Sequence, residues 1–188
     1  MKNHSSPRKR EKFSQTELLD LSYDRSFLQQ SAVHVARQLI GFRLCRYWEG
    51  KVFMKVITET EAYMGEEDGA SHARFGRTNR NAPMYGPPGI WYVYVCYGIH
   101  AMLNLVTGRE NEPAAVLLRS VQNVSGPGRL TQWFHVTRSL NGQPCEPSSG
   151  LWLLPPTERF SIHTAPRIGI NYAGKEWAQK PWRFIAEI

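Results

Sequence analysis

The sequence has few cysteines, and their placement excludes the sites that cysteines usually build. Cys45, Cys96 and Cys145 are odd in number, lie far apart and form no C-x-x-C pair. A disulfide framework uses an even set of patterned cysteines, and a zinc knuckle uses closely spaced pairs. Neither is indicated, so we expect a protein of a reducing, intracellular compartment without a structural metal.

Long hydrophobic runs and several familiar enzyme motifs are also missing. No stretch approaches the ~20 apolar residues of a membrane-spanning helix, and the N-terminus has no apolar signal segment. The sequence contains no P-loop, no G-x-S-x-G elbow, no Rossmann fingerprint and no zinc deaminase signature. Membrane insertion, secretion and these enzyme classes are therefore not expected.

The chain does have enough apolar residues for one domain, and a surplus of positive charge. Its 188 residues are 41% hydrophobic, which suits a single core and is too little for two. With 23 basic and 16 acidic side chains the net charge is +7, which is typical of nucleic-acid binders but also of proteins that charge merely keeps soluble. We expect residues 1–15 to form a flexible basic tail and residues 16–188 a single domain.

Periodicity and turn residues predict an early helix, two antiparallel strand pairs and a further strand. The helix follows Ser31, a typical N-cap, and stops before a glycine. Each strand pair surrounds a dipeptide that ends in glycine, as tight hairpin turns often do. The predicted elements are the helix 32–40, the strands 42–48 and 52–63 around Glu49-Gly50, the strands 90–96 and 99–106 around Tyr97-Gly98, the strand 114–121, a helix start within 125–130, and a short helix around 67–74.

One acidic residue and several tyrosines fall on strand faces where they could meet. Side chains alternate along a strand, so Glu61 and Tyr63 point to one side, and Tyr92 and Tyr94 share a face of their own. A carboxylate and aromatic walls could then form a pocket for a flat, electron-poor ligand. Glu59 lies on the face of Glu61, which also admits a glycoside hydrolase with two carboxylates, although we prefer one catalytic glutamate.

Two further residues have both a functional and a structural interpretation. Tyr97, at the tip of a predicted hairpin turn, could insert between stacked bases or could fold back onto the sheet as core. His72 could face the pocket, but a single histidine is more often a surface or hydrogen-bonded structural residue. The other histidines, which show no metal-ligand spacing, are His4, His34, His100, His135 and His163.

Several ordered blocks of the sequence resemble the alkyladenine DNA glycosylase family, also called 3-methyladenine DNA glycosylases. The resemblance covers roughly residues 33–184. Its blocks are ETEAY at 59–63, His72 with Arg74, YVYVCYG at 92–98, Asn104 within 102–104, VLLR at 116–119, GPGRL at 126–130, PRIGI at 166–170 and KPWRF at 180–184. Chance does not account for so many blocks in one order.

The resemblance implies a mixed α/β (α+β) single domain around a curved antiparallel sheet, with a protruding β-hairpin that inserts into DNA. It implies a base-excision-repair enzyme that flips damaged purines out of duplex DNA and hydrolyses the N-glycosidic bond, leaving an abasic site. The damaged purines would be of the 3-methyladenine, 7-methylguanine, hypoxanthine and ethenoadenine class. We expect a monomer that acts on double-stranded DNA and needs no cofactor.

The resemblance also assigns roles by position. Glu61 matches the general base that activates the attacking water, and Arg119 matches a residue near that water, a place that a backbone carbonyl near Ile168 could share. Asn104 matches the side chain that obstructs the 2-amino group of guanine. The positions that enclose the flipped base are Tyr63, His72 and Tyr94, and the position that intercalates into the vacated stack is Tyr97.

Two other functions remain open at this point. The same aromatic pocket would suit a non-catalytic module that binds damaged bases, and the two glutamates would suit a carbohydrate hydrolase. The second lacks the tryptophan platform typical of sugar sites and leaves the positive charge unexplained. The sequence also departs from the mammalian family members at Glu66, at 69–71 and at His100, which bears on substrate range more than on activity.

Overall fold

The computed structural model describes residues 24–187, whose framework is one antiparallel sheet. The predicted tail over 1–15 and the first residues of the predicted domain, 16–23, lie outside the described residues. The strands are β1 (Arg43–Trp48), β2 (Lys51–Met64), β3 (Trp91–Cys96), β4 (His100–Val106), β5 (Ala114–Val121), β6 (Leu151–Leu154), β7 (Ile162–Ala165) and β8 (Arg183–Ala186). The α-helices are α1 (Ala32–Gln38), α2 (Pro127–Trp133) and α3 (Lys175–Gln179), and short 3₁₀ helices occupy Ser26–Gln29, Ala82–Tyr85, Arg138–Leu140, Pro147–Ser149 and Asn171–Ala173.

Strand β2 is the centre of the sheet. The strand order is β3-β4-β5-β2-β1-β6, and β8 pairs with both β2 and β7. With 14 residues, β2 pairs with β1 along its first half and lies between β5 and β8 along its second half. The chain is thus a mixed α/β single domain around a curled antiparallel sheet, as predicted.

The predicted early helix forms and ends two residues earlier than expected. Ser31 caps it by accepting a hydrogen bond from the backbone N–H of His34 at 3.3 Å, and Gly41 follows with a φ of +92°. The helix packs on the sheet, where Thr60 Oγ1 donates to the carbonyl of Ala36 at 2.8 Å. This contact marks the sheet face that holds the main core.

The second predicted hairpin forms with the expected turn residues. Tyr97 and Gly98 have φ values of +51° and +74°, the left-handed region that tight hairpin turns use. The N–H of Ile99 donates to the carbonyl of Cys96 at 3.2 Å and closes the turn. Tyr97 is 92% exposed, so it does not fold back onto the sheet as core.

The polar segment after β2 differs from the prediction. Residues 67–74 form turns and bends instead of a short helix. The Asp68 carboxylate accepts hydrogen bonds from the N–H groups of Met64 and Ala70 at 3.1 and 3.0 Å, and such side-chain bonds compete with helical ones. Further along, the helix start predicted within 125–130 is confirmed, because α2 begins at Pro127 with Gly126 at its N-cap position.

Candidate active site

Glu61 lies in the middle of the sheet, on the face opposite the helical core. In the strand register Glu61 pairs with Leu117 of β5 and with Arg183 of β8, so neighbouring strands flank it on both sides. Because Thr60 faces α1, alternation sends Glu61 to the other face. The Glu61 side chain is fully inaccessible to solvent.

Donors from three parts of the chain hold the Glu61 carboxylate. Oε1 accepts the N–H of Ile168 at 2.8 Å and lies 3.3 Å from Nη1 of Arg119, and Oε2 accepts the hydroxyl of Tyr63 at 2.8 Å. Burial raises the pKa of Glu61 above its ordinary value, while Arg119, the Ile168 N–H and Tyr63 act in the opposite direction. Ile168 contributes its backbone N–H to this carboxylate, and the expectation that a backbone carbonyl near Ile168 lies beside the attacking water stays a prediction. A carboxylate has about four acceptor positions, so Glu61 retains capacity for a further donor.

A β-bulge lets Arg119 reach both glutamates. β2 pairs Glu59 with Ser120 and its next residue with Leu118, which leaves Arg119 as the extra residue of β5. Bulges of this kind redirect a side chain. Here Nε of Arg119 lies 3.3 Å from Oε1 of Glu59, and its Nη1 lies 3.3 Å from Oε1 of Glu61.

Glu59 is occupied by its own ion pairs. Its Oε2 accepts the hydroxyl of Ser120 at 2.5 Å, and its Oε1 accepts Nη1 of Arg183 at 3.0 Å and lies close to Arg119. It borders a groove with Ser120, away from the tyrosines of β3. This geometry favours one catalytic glutamate over a carboxylate pair.

A narrow slot lies beside Glu61 and has a volume of about 50 Å³. It is lined by Tyr63, Ala70, His72, Met84, Tyr92, Tyr94, Asn104, Ala115 and Tyr172. All four residues predicted to bind substrate are therefore brought together. Glu61 and Arg119 do not line the slot, but the Tyr63 hydroxyl connects Glu61 to it. Tyr97 lies apart from these residues, at the hairpin tip.

The slot walls are uncharged at neutral pH. Nδ1 of His72 lies 2.9 Å from the hydroxyl of Tyr92, and the His72 ring packs edge-on against Tyr94 with centroids 4.5 Å apart. Burial, together with the nearby charges of Arg80 and Arg74, lowers the pKa of His72 to about 4. Burial also raises the pKa of Tyr92 to about 12. Neutral aromatic walls suit a flat ring, above all a cationic one.

Asn104 is fixed as part of the wall. Its side-chain amide nitrogen donates to the carbonyls of Tyr92 and Met102 at 3.1 and 3.3 Å, and the residue is buried.

One lining residue, Tyr172, was not predicted from the sequence; it is 61% exposed at the edge of the slot. Its hydroxyl donates to the carbonyl of Ala70 at 3.2 Å. The only signal for it was an aromatic residue in a polar stretch just after PRIGI.

The described part of the chain holds neither a candidate metal cluster nor a membrane-spanning helix. Between residues 24 and 187, no three His, Cys, Asp or Glu side chains lie together in a way that could hold a metal ion. None of the helices in the same range has the length and apolar character needed to cross a membrane.

Comparison with known proteins identifies similar chains. The family model for methylpurine-DNA glycosylase (MPG) matches residues 26–125 and 122–187. A protein of Nitrosococcus oceani, provisionally named 3-methyladenine DNA glycosylase, is 39% identical over 84% of this chain and 86% of its own. Proteins with the same provisional name from Borreliella afzelii and Chlamydia felis are 41% and 38% identical, over 87% and 86% of this chain and 95% and 94% of theirs.

Proposed function

Since the chain belongs to the methylpurine-DNA glycosylase family, we propose that its slot binds an alkylated or deaminated purine flipped out of duplex DNA and that Glu61 activates the water that releases it. Membership of the family makes the chain a DNA glycosylase that acts in the repair of alkylated bases. The proposed binding of a flipped purine and the role of Glu61 are supported by a single arrangement: a buried carboxylate bonded to Tyr63, which itself lines a neutral aromatic slot.

The proposed reaction uses charge that the damage itself supplies. Alkylation at purine N3 or N7 makes the base cationic, which weakens its bond to the sugar and improves its contact with aromatic faces. As the C1′–N bond of an alkylated purine breaks, its electron pair leaves with the base and cancels this charge, and the water oxygen bonds to C1′ while Glu61 takes the water proton. A deaminated purine carries no such charge, so its ring takes up a proton from solvent as it leaves. The products are the free base and an abasic strand.

The neighbours of Glu61 keep it ready for this role. A general base must be ionised, and its strength is greatest when its pKa approaches the working pH. Burial raises the pKa of Glu61, whereas Arg119 and the Ile168 N–H stabilise the ionised form. We assign Arg119 this electrostatic part beside the reacting water, and Glu59 the part of holding Arg119.

The remaining predicted residues fit binding steps. Tyr63, His72 and Tyr94 would enclose the base, and the rigid Asn104 would obstruct a 2-amino group and so reject normal guanine. Tyr97 would fill the stack that the base vacates, because it is exposed at the end of a hairpin. We propose that the protein does this as a monomer inside the cell, on double-stranded DNA and without a cofactor.

The test is single-turnover excision from duplexes that each carry one lesion. Glu61→Gln keeps the shape of the side chain but cannot take a proton, so excision should fall by at least ~10²-fold while lesion-DNA binding is retained. The matched control is Glu158→Gln, an exposed glutamate, which should leave the rate unchanged. Excision at the wild-type rate by Glu61→Gln would remove Glu61 from its role.

The same experiment separates the alternatives and identifies the substrate. Gel analysis over a set of lesions would rank 3-methyladenine, 7-methylguanine, hypoxanthine and ethenoadenine. If wild-type protein binds such duplexes tightly and releases no base from any of them, the chain is a binding module and the catalytic proposal fails.

A further inference from the structure

A buried ion pair contacts Tyr63, a residue of the slot wall, and has no part in the proposed chemistry. Nη1 and Nη2 of Arg167 donate to Oδ2 and Oδ1 of Asp68 at 2.6 and 2.8 Å, and both side chains are fully inaccessible to solvent. Neither residue lines the slot. Because two charges lose their hydration on burial, such pairs often add little net stability. Its presence here calls for another explanation.

The Asp68 end of the pair fixes the segment that runs from Tyr63 to His72. Oδ2 accepts the N–H of Met64 at 3.1 Å, directly after Tyr63, and Oδ1 accepts the N–H of Ala70 at 3.0 Å, two residues before His72. One carboxylate therefore sets the path between two residues of the slot wall.

The Arg167 end fixes the other side of the site. Nη1 donates to the carbonyl of Ala62 at 2.9 Å, and the guanidinium carbon lies 4.8 Å from the centre of the Tyr63 ring. The next residue in the chain is Ile168, whose N–H donates to Glu61 at 2.8 Å. Arg167 is thus directly adjacent in the chain to the residue whose N–H binds Glu61, the proposed general base.

We propose that the Asp68–Arg167 ion pair is a positioning device, which holds the Ile168 N–H on Glu61 and keeps Tyr63 in place as the wall of the slot. This inference rests on the proposed function of Glu61. The loop itself offers little support, since Ile168 is 49% exposed and is followed by Gly169 at a φ of +77°. The short bonds to Arg167 therefore determine where the Ile168 N–H points.

The test replaces the two-nitrogen guanidinium group of Arg167 with a lysine ammonium group, which keeps the positive charge. Arg167→Lys cannot form two parallel bonds to a carboxylate, so the loop should shift and the N–H of Ile168 should leave Glu61. A hydrogen bond to the ionised form lowers the pKa of a carboxyl group. Its loss should move the acid limb of the single-turnover rate up by about one pH unit, with lesion-DNA binding changed less than the rate.

Other charges around Glu61 stay as they are in this variant. Arg119 faces it from β5, Tyr63 and Glu59 from its own strand, and Arg183 of β8 acts on Glu59. A displaced acid limb therefore reports a weakened hydrogen bond to Glu61 from Ile168 or from Tyr63, the two donors that the ion pair is proposed to hold. Amide NMR gives a readout without activity, because the Ile168 amide proton should respond to the titration of Glu61 in the wild type and not in Arg167→Lys.

The matched control is Arg25→Lys. Arg25 also pairs with a carboxylate, that of Glu146, at 3.2 Å, but neither residue lines the slot. This control should keep the wild-type acid limb. A limb unmoved in a folded Arg167→Lys, with the Ile168 amide still responding to Glu61, would overturn the proposal, and so would a uniform loss of rate at every pH.

A second variant covers the case in which Arg167→Lys does not fold. The double change Asp68→Asn with Arg167→Gln removes both charges together, so that no unpaired charge is buried, and it should show the same displaced limb. If this variant also fails to fold, the pair is a structural element and the positioning role is wrong. Wild-type excision by Glu61→Gln would instead defeat the proposed function, whatever Arg167 does.

Discussion

Replacing Tyr97 with alanine should separate DNA flipping from both folding and chemistry. The side chain is 92% exposed, so its loss removes little buried surface. Alanine retains a Cβ at the same positive φ of +51°, so the backbone strain changes little. We expect the free energy of unfolding to stay within about 0.5 kcal/mol of the wild-type value, as for other surface substitutions.

The effect on DNA should be much larger. Stacking of an aromatic side chain on a base is worth about 1–3 kcal/mol, which corresponds to about a 5- to 150-fold change in the population of flipped base. Ile99, 75% exposed on the same tip, retains some apolar surface in the variant. We therefore expect a loss in the lower half of that range, and Tyr97→Phe should restore most of it.

The assay is 2-aminopurine fluorescence beside the lesion, followed by single-turnover excision on the same duplex. Tyr47→Ala is the matched control, since Tyr47 is 55% exposed on β1 and should change neither signal. The Tyr97→Ala defect should shrink when the lesion lies opposite an abasic site, because less pairing must then be broken. Undiminished base flipping by Tyr97→Ala in a fully paired duplex would show that Tyr97 does not fill the vacated stack.

Features that depend on chain neighbours were predictable from the sequence. The common face of Glu61 and Tyr63 follows from strand alternation alone, and the cap at Ser31 from its hydroxyl. The hairpin turn at Tyr97-Gly98 follows from a glycine in a two-residue loop. None of these three features depends on a distant residue, so local sequence patterns are enough to predict them. The resemblance added residues whose meeting no local pattern could show, such as Asn104.

Features that depend on pairing across the chain were not predictable. Arg119 reaches both glutamates only because β5 has one more residue than β2 at that point, and register is set by the whole sheet. The N–H of Ile168 is a backbone donor, which leaves no mark in the side-chain pattern. Asp68 meets Arg167 across 99 positions, and its competing backbone bonds explain why the helix predicted around 67–74 is wrong.

Binding to undamaged DNA should weaken with salt at a log–log slope of about −0.9 per phosphate neutralised, and an affinity that is flat from low to moderate salt would contradict this. Asn104→Ser should admit guanine-type bases by opening space for the 2-amino group. If the wild type and this variant reject guanine equally, Asn104 does not discriminate against it. Water is the expected nucleophile, so borohydride should trap no protein–DNA adduct, and a trapped adduct would mean amine catalysis.

Burial of the Glu61 carboxylate should lower the free energy of unfolding at neutral pH. Because burial raises the pKa of Glu61 in the folded state, its contribution to stability is present at low pH and is lost as the pH rises through that pKa. Each unit of the shift lowers the free energy of unfolding at neutral pH by about 1.4 kcal/mol. Glu61→Gln, which has no charge to bury, should therefore melt at a higher temperature than the wild type at neutral pH, and the difference should vanish as the pH falls to where the wild-type carboxyl is protonated. Thermal unfolding of both proteins at a series of pH values measures this, and a variant that is less stable at neutral pH would show that Arg119, Ile168 and Tyr63 outweigh the desolvation of the carboxylate.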